Sequence, residues 1–458
     1  MTSRVPALVV GGGISGLVCA YTLRQAGVDA RVIEASPRVG GIIRTERRQG
    51  YLLEFGPQSF SGTAPLHALC AQLDLEGELV QAPPQSRRYV LVDGALATVP
   101  LSPQAFFASS LIGPGTKATL ARDMFGKSQP PEQDESVAGF VRRKFSAELL
   151  DRLVGPFISG IYAGDPERLS LRSAFPQFYE AEKSAGSVIR GMMRQSRSRK
   201  RPRERPTLLS FREGNERLVH ALSSKLRTLL CLGAEVTKVE AKRDGSARKF
   251  DLRVRGATEE ETISTDHLIL ATPADVAGKL LRGVNPAFDS LLSPIQYAPV
   301  AIVSLGYPRP DVGHSLDGFG FLVPRSAGLR ILGTIWNSSL FPERAPEGHL
   351  LLTSFVGGAT DPGAAALSPE NLVALVHREI APLLSIGHAP TFSNVEIYPR
   401  ALPQYNLGHS DRLAQIERLT LEAQNVSLVG NYLRGPSIGA CVEQSLAVAG
   451  KVLSLLHA

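Results

Sequence analysis

Cysteine is scarce and scattered in this 458-residue chain: Cys19, Cys70, Cys231 and Cys441 stand far apart, with no CxxC pair and no Cys/His ligand spacing. That argues against a disulfide framework and a zinc site, and makes a reducing compartment the default. The nine histidines form no HExxH or HxH pattern, so no metal is expected. No run of about 20 purely apolar residues offers a membrane span. The N-terminus has one arginine and then a strand, not a charged region followed by a long apolar one, so no signal peptide is expected. Charge is sparse as well: 20% of residues are charged against 43% hydrophobic, which excludes a disordered chain and favours packed cores. Two or three domains, or one elaborated domain, suit this length. The 43 glycines and 32 prolines follow no collagen-like period and read as turns. One uncharged stretch, residues 94–116, holds Phe106, Phe107, Leu111 and Ile112, but Pro100, Pro103 and Pro114 interrupt any straight helix.

The formal net charge of +7 is local. Arg190, Arg194, Arg197, Arg199, Lys200, Arg201, Arg203 and Arg205 face the single acid Glu204. That surplus of seven equals the charge of the whole chain. With serine and proline interleaved, the run reads as a mobile surface loop. A solvated loop is the default and an anionic lipid surface the next candidate. The run has no aromatics for base stacking, and no recognisable nucleic-acid fold surrounds it, so no nucleic acid is expected.

The first 40 residues carry the clearest signal. Residues 7–10 form a short buried strand, Gly11-Gly12-Gly13-Ile14-Ser15-Gly16 follows, and residues 17–26 continue as an apolar helix that Gly27 ends. A second strand, 30–33, is closed by Glu34. In such a βαβ unit Gly11 permits the tight turn, Gly13 lets backbone approach a pyrophosphate, and Gly16 allows close helix–strand packing. The helix N-terminus meets phosphate with free N–H groups, and Glu34 can accept hydrogen bonds from a ribose diol. Beyond it, residues 62–83 look helical, and 88–92 with 96–99 look like a hairpin around Asp93-Gly94. Mainly helices follow to residue 190 (117–125, 137–144, 148–154 and 171–183), ending in the basic loop. A helix at 218–230, strands at 235–239, 252–254 and 267–271 with a turn at Asp244-Gly245, a helix at 369–384, a strand at 391–398, a strand from 426 entering a loop, and a closing helix at 439–456 complete the pattern.

Three further pieces point to FAD over a nicotinamide cofactor. Arg38-Val39-Gly40-Gly41 adds a second glycine pair and an arginine beside the pyrophosphate. The strand 267–271 runs into Thr272-Pro273. Gly430-Asn431-Tyr432, a loop and the helix from Gly439 aim a second helix N-terminus at the cofactor, where it would stabilise negative charge on a reduced isoalloxazine. Together these resemble the amine-oxidase-like FAD flavoproteins. Within them the chain resembles the protoporphyrinogen oxidase family, on Val10-Gly11-Gly12-Gly13-Ile14-Ser15-Gly16-Leu17, Glu54-Phe55-Gly56-Pro57, Ser159-Gly160-Ile161-Tyr162-Ala163-Gly164-Asp165, Gly318-Phe319-Gly320-Phe321-Leu322-Val323-Pro324, Pro403-Gln404-Tyr405-Asn406-Leu407-Gly408-His409 and Gly430-Asn431-Tyr432.

The resemblance implies an α/β fold: a Rossmann-like FAD-binding part, a mixed-sheet substrate domain and an inserted α-helical membrane-associating domain. The expected boundaries are 1–87, 206–275 and 416–458 for FAD binding, 88–205 for the insert and 276–415 for substrate. It implies a six-electron oxidation of protoporphyrinogen IX to protoporphyrin IX in three two-electron steps, with hydride passing to the flavin and O2 as acceptor, giving H2O2. The flavin carries that chemistry, and no Ser/His/Asp set is assigned. By position, Arg88 matches the arginine that pairs with a propionate, bidentately. Phe319 and Leu322 match the residues sandwiching the rings, Phe355 lines the same slot, and Gly160 faces the substrate. Gly11, Gly12, Gly13, Ile14, Ser15, Gly16, Glu34, Ala35, Arg38, Gly40 and Gly41 fall to the cofactor. So do Gly56, Pro57, Gln58, Ser59, Val236, Gly430, Ser437 and Ile438.

The terminal loop departs from the family: this chain has Gly435-Pro436-Ser437-Ile438-Gly439-Ala440-Cys441, and Pro436 lacks a donor N–H, so contacts there fall to its neighbours. Cys441 is in no context for covalent flavin, and dissociable FAD is expected. A coproporphyrinogen III oxidase of the same family is the alternative substrate reading. An amine oxidase would want a paired-aromatic cage, and Ser437 stands where its terminal aromatic would lie. A lipid- or nucleic-acid-binding protein would explain the basic loop but not the flavin motifs. The expected location is cytoplasmic with peripheral membrane contact, and a homodimer is left open.

Overall fold

The computed structural model describes residues 2–100, 102–198, 207–244 and 247–456. A seven-stranded sheet joins three distant parts of the chain. Its order is Leu230–Leu232, Ala30–Glu34, Thr2–Val10, Glu260–Leu270, Ala247–Arg255 and Glu235–Asp244, with Val426–Leu428 also pairing on Glu260–Leu270. The pairs around Thr2–Val10 are parallel, and Glu235–Asp244 and Ala247–Arg255 add an antiparallel extension. Alternation assigns the faces. Ala7 and Val9 enter one core with the helices Ile14–Gln25, Glu216–Leu226 and Ile438–Leu456; Leu8 and Val10 enter another with Ala274–Leu281 and Ala287–Leu292. Ile438–Leu456 is long and apolar enough to cross a membrane. It lies instead along the first helix, with Cys441, Val442, Ala449 and Val452 in the core.

The second sheet runs Phe392–Pro403, Tyr297–Pro308, His349–Gly357, Ile331–Trp336, Gly320–Leu322, Arg88–Val92 and Ala95–Thr98. One face carries Tyr89, Val303, Phe321, Trp336 and Leu352 against the helix Pro369–Leu384. The hairpin expected at Asp93-Gly94 forms as read: Asp93 and Gly94 both have positive φ (50° and 80°), as a two-residue type I′ connection requires. Its first strand pairs parallel to Gly320–Leu322. Residues 88–98 therefore belong to this sheet, and the helical part begins after Thr98, not at 88.

The helical part comprises Pro103–Ala108, Pro114–Asp123, Val137–Lys144, the turns leading into Gly155–Tyr162, then Leu171–Ala174, Pro176–Ala185 and Val188–Ser198. Three expectations need correcting. The helix at 171–183 breaks at Phe175, because a following proline disfavours the α conformation of the residue before it; Pro176 then opens the second piece. The basic segment is not a loop from its start, because Val188–Ser198 is helical. Its first turn is capped from two sides: buried Asp123, on another helix, accepts from Ile189 N at 3.0 Å, and the preceding Ser187 Oγ accepts from Arg190 N at 3.1 Å. Residues 199–205 of the run, and Gly245 of the expected turn, lie outside the described residues. The expected helix 62–83 ends at Gln72, and Leu79–Gln81 becomes a strand pairing with Leu208–Phe211.

Candidate functional site

The first strand ends at the C-terminal edge of the parallel sheet, where Gly11 turns with φ +106° and donates to Ile33 O at 2.8 Å. A Cβ at Gly11 would lie 2.6 Å from Ala271 O, and one at Gly16 2.0 Å from Gly11 O. Both positions are closed to any side chain by backbone. Gly13 differs, since its Cβ would meet nothing within 4 Å. It is the N-cap of Ile14–Gln25, with no side-chain cap, so the first helical N–H groups face open space. The second glycine pair lies over the first: Gly40 N donates to Gly12 O at 2.8 Å, and a Cβ at Gly41 would approach Gly13 Cα at 3.7 Å. Arg38 donates to Val39 O and Gly41 O at 3.2 and 2.5 Å and so braces this pair. Glu34 accepts from Gly12 N at 2.6 Å and Ser36 N at 2.8 Å, with Ala35 exposed beside it. Ala234 N bonds Glu34 O at 3.1 Å, which brings the strand carrying Val236 to the same edge. An open glycine cradle, an uncapped helix N-terminus and a fixed carboxylate together fit a dinucleotide.

Two other segments converge there. In the loop Gly56-Pro57-Gln58-Ser59, Gln58 Nε2 donates to Glu54 O (2.9 Å) and Gly56 O (3.1 Å), while Gln58 Oε1 accepts from Asn337 Nδ2 at 2.8 Å. Beneath it Glu54 is fully buried, accepting from Thr45 Oγ1 at 2.7 Å and Asn215 N at 2.8 Å. Burial pushes its carboxyl up to about 7, although the Arg344 guanidinium opposes this. The second segment begins at Gly430 (φ +152°). Ser437 Oγ caps the closing helix by accepting from Ala440 N at 3.2 Å, and Ile438 is buried. A Cβ at Gly439 would touch Thr63 Cγ2 at 3.1 Å, so this N-terminus abuts the chain just after Ser59. Ser15 hydrogen-bonds the Cys441 thiol, which places the N-terminal ends of the first and closing helices side by side.

The residues expected to meet substrate lie on the face of the second sheet away from Pro369–Leu384. Register aligns Leu322, Gly333, Phe355 and Ile302 in one row across four strands, and Arg88 pairs with Gly320 on the same face. Gly160 meets this row: its Cβ would stand 2.6 Å from Leu322 Cδ2. The Arg88 guanidinium lies 5.6 Å from the Phe319 ring, and no carboxylate among the described residues is within ion-pair distance of it. Three residues here escaped the sequence reading. Phe157 and Ile161 are exposed on the helix Gly155–Tyr162 beside Gly160, and their i, i+3, i+4 spacing with it was the available signal. Tyr398 packs with Phe355 and Ile302; nothing local marks it. A separate cleft of roughly 550 Å³, lined among others by Arg168, Gln296, Tyr297, Arg400 and Gln404, contains none of the expected site residues.

Residues 14–453 match the family described as flavin containing amine oxidoreductase. The chain belongs to that family. It is 34% identical over 477 residues to the chloroplastic protoporphyrinogen oxidase of Nicotiana tabacum, covering 99% of this chain and 86% of the relative. It is 32% identical to the coproporphyrinogen III oxidase of Bacillus subtilis, covering 98% of each. A solved Exiguobacterium structure, provisionally assigned as a protoporphyrinogen oxidase, superposes with TM-score 0.80 at 25% identity over 98% of both chains.

The protein is accordingly an FAD-dependent oxidoreductase, and its two paired helix N-termini suit the cofactor's negative charge. Cys441 stands beside one of them but is buried, which pushes its thiol up to about 11. The helix dipole does not make it a thiolate nucleophile here.

Proposed function

We propose that this enzyme oxidises protoporphyrinogen IX to protoporphyrin IX, removing six electrons with O2 as acceptor and forming H2O2. The observation that carries this is the uncommitted Arg88 guanidinium on the same sheet face as the apolar row of Leu322 and Phe355. A flat macrocycle with carboxylate arms needs a slot of this kind with one cation at its rim. When bound, FAD supplies the two-electron acceptor. Arg88 holds a propionate, Phe319, Leu322 and Phe355 bracket the rings, and Gly160 leaves room that a side chain would fill. Gly11 to Gly16, Gly40, Gly41 and the N-terminus of the first helix hold the pyrophosphate, and Glu34 the ribose. The loop 56–59 and residues 430, 437 and 438 hold the flavin end, with the adenine near Val236. The cofactor is dissociable, since Cys441 stays a buried thiol.

The names of the tobacco and Bacillus relatives support a porphyrinogen, and the second favours coproporphyrinogen III as the alternative. Anaerobic titration with protoporphyrinogen IX, coproporphyrinogen III and a simple amine, read at the flavin absorbance near 450 nm, separates the readings. Bleaching by protoporphyrinogen is expected. Bleaching by coproporphyrinogen alone moves the assignment to the alternative, and bleaching by the amine alone refutes both.

The helical part is, in this reading, the membrane-facing element of a peripheral cytoplasmic enzyme. It exposes Phe107, Met124, Phe125 and Met193, with Phe125 84% exposed, and the helix Val188–Ser198 that carries Met193 also carries Arg194 and Arg197. Co-sedimentation with anionic vesicles tests this; F125D should weaken it severalfold, and equal binding by F125D and wild type would refute it.

A further inference from the structure

Tyr405 leaves the second sheet at Pro403 and enters two other neighbourhoods. It is 1% exposed, and its ring belongs to the core of the helical part, with Phe140, Ile158, Tyr162 and Leu171. It stacks on His409 at 4.7 Å and 7°, and meets Tyr162 edge-on at 5.7 Å. Backbone ties fix it to the same part: Ser170 N donates to Tyr405 O at 2.8 Å, and Gly408 N to Asp134 Oδ2 at 2.8 Å. Its hydroxyl points the other way. It donates to Asn431 O and accepts from Gly435 N at 2.7 Å. One O–H thus clamps both ends of the loop that leads from the last strand to the closing helix. Burial holds the phenol above its ordinary value, so the donor proton stays in place.

The first half of the loop is also held by Leu433 N, which donates to Gly430 O at 3.2 Å, and by the buried Tyr432; around Gly435 the restraints are fewer. Pro436 offers no N–H, Gly435 sits at φ +101°, and Gln444 Nε2 holds Arg434 O at 3.0 Å. Gly435 N is already committed to Tyr405, so at this end of the loop the groups left to meet a ligand are those from Ser437 into the start of the closing helix. We propose that Tyr405 is a positioning residue: from within the core of the helical part it sets where the loop 431–437, and with it the N-terminus of the closing helix, stands against the flavin. This rests on the reading that residues 430–438 lie at the flavin end of the cofactor. It makes the helical part a contributor to cofactor geometry as well as a candidate membrane face.

The test compares Tyr405→Phe with Tyr307→Phe. Tyr307 is equally buried and bonds His377 Nδ1 at 3.0 Å on the far side of the second sheet, so its variant loses a buried hydroxyl contact without touching the loop. Y405F holoenzyme should release FAD on dilution with at least a fivefold higher dissociation constant and show a shifted visible flavin band. Y307F should stay within twofold and unshifted. Y405F matching wild type in both, or Y307F losing as much, overturns the proposal. If Y405F does not fold, hydrogen exchange in wild-type holoenzyme decides. Protection of the Gly435 amide comparable with that of Cys441, whose amide bonds Ser437 O at 3.0 Å, upholds the clamp; exchange at the rate of a free loop overturns it. No porphyrinogen enters either measurement, so a failure here is distinct from a failure of the substrate assignment.

Discussion

Gly13→Ala separates cofactor binding from folding, and Gly16→Ala does not. Gly13 has φ −71° and ψ 176°, extended backbone that alanine adopts freely, and its Cβ would meet no atom within 4 Å. A stiffer unfolded chain favours the variant by about 0.4–1 kcal/mol. Alanine is the poorer N-cap, at a cost of roughly half a kcal/mol. The two nearly cancel, so the FAD-free protein should melt as wild type does. The methyl group instead enters the space through which a pyrophosphate reaches the free N–H groups of the first turn. Losing one hydrogen bond to a charged group costs about 1.5–3 kcal/mol, which corresponds to a roughly 10- to 100-fold weaker FAD affinity. At Gly16 the added Cβ would sit 2.0 Å from Gly11 O, a backbone atom that cannot step aside, so overpacking of about 1–3 kcal/mol or more appears in the apoprotein itself. The assay is chemical denaturation after FAD is stripped, paired with FAD titration by quenching of flavin fluorescence. G13A binding FAD as tightly as wild type would falsify the placement of the cofactor in this cradle. G13A destabilising the apoprotein as much as G16A would refute the open geometry.

Arg88→Ala should raise KM for the porphyrinogen about 10- to 100-fold, the worth of a charge-assisted bond, with FAD affinity unchanged; Arg88→Lys should recover only part, because an ammonium lacks the planar fork. An unchanged KM in R88A counts against the propionate role. Glu54 predicts a pH dependence of stability. Its folded pKa of about 7 lies above the unfolded value, so the native state binds the extra proton, and stability falls as pH rises from about 4.5 through 7, by roughly 3 kcal/mol in all. Glu54→Gln mimics the neutral carboxyl and should flatten that slope in denaturation curves; an unaltered slope places the titrating group elsewhere. Lys144→Met leaves Asp123 and Glu182, both buried and 2.6 and 3.5 Å from Nζ, without that cation and should cost about 3–5 kcal/mol. Removing exposed Arg142 from its pair with Glu167 should cost under about 1 kcal/mol in the same chemical denaturation assay, and equal losses would refute the role of burial.

The features legible in the sequence are those whose cause is local. The strand–glycine–helix opening is dictated by Gly11, Gly13 and Gly16, and the hairpin by Asp93-Gly94; both need only neighbours within a few residues. The partner of that hairpin was not legible. Arg88–Val92 pairs parallel with Gly320–Leu322, more than two hundred residues on, and no periodicity in residues 88–98 says which sheet will take them. Composition hid the helix Val188–Ser198 for a related reason. Its arginines and serines favour a loop, while Val188, Ile189, Met192 and Met193 recur at helical spacing, and the carboxylate that caps it is Asp123 on another helix. The break at Phe175-Pro176 was readable from the proline alone. For the candidate site, motif positions nominated Arg88, Gly160, Leu322 and Phe355, but only the register of the second sheet puts Arg88, Leu322 and Phe355 on one face. Tyr405 lay in a quoted motif, yet its contacts run to Asn431 and Gly435, so no reading of residues 403–409 could assign it.

The basic run changes meaning once its first arginine is placed. Arg190 donates to Met124 O, to Gly126 O at 2.7 Å and to Ala185 O at 2.7 Å, carbonyls at the ends of Pro114–Asp123 and Pro176–Ala185. A cation there satisfies orphan carbonyls and meets the negative ends of two helix dipoles. Its charge is spent inside the fold, and it fixes the start of Val188–Ser198 together with Asp123 below it. Arg194 and Arg197 lie further along the same helix, on the part that leads to the remaining cations and stands near Met193. A lipid surface gains about 1 kcal/mol per cation that reaches it, so the electrostatic reach of the run belongs to the residues after Arg190. The basic run is thus not uniform: its first arginine anchors a helix, and Arg194 and Arg197 follow it on that helix.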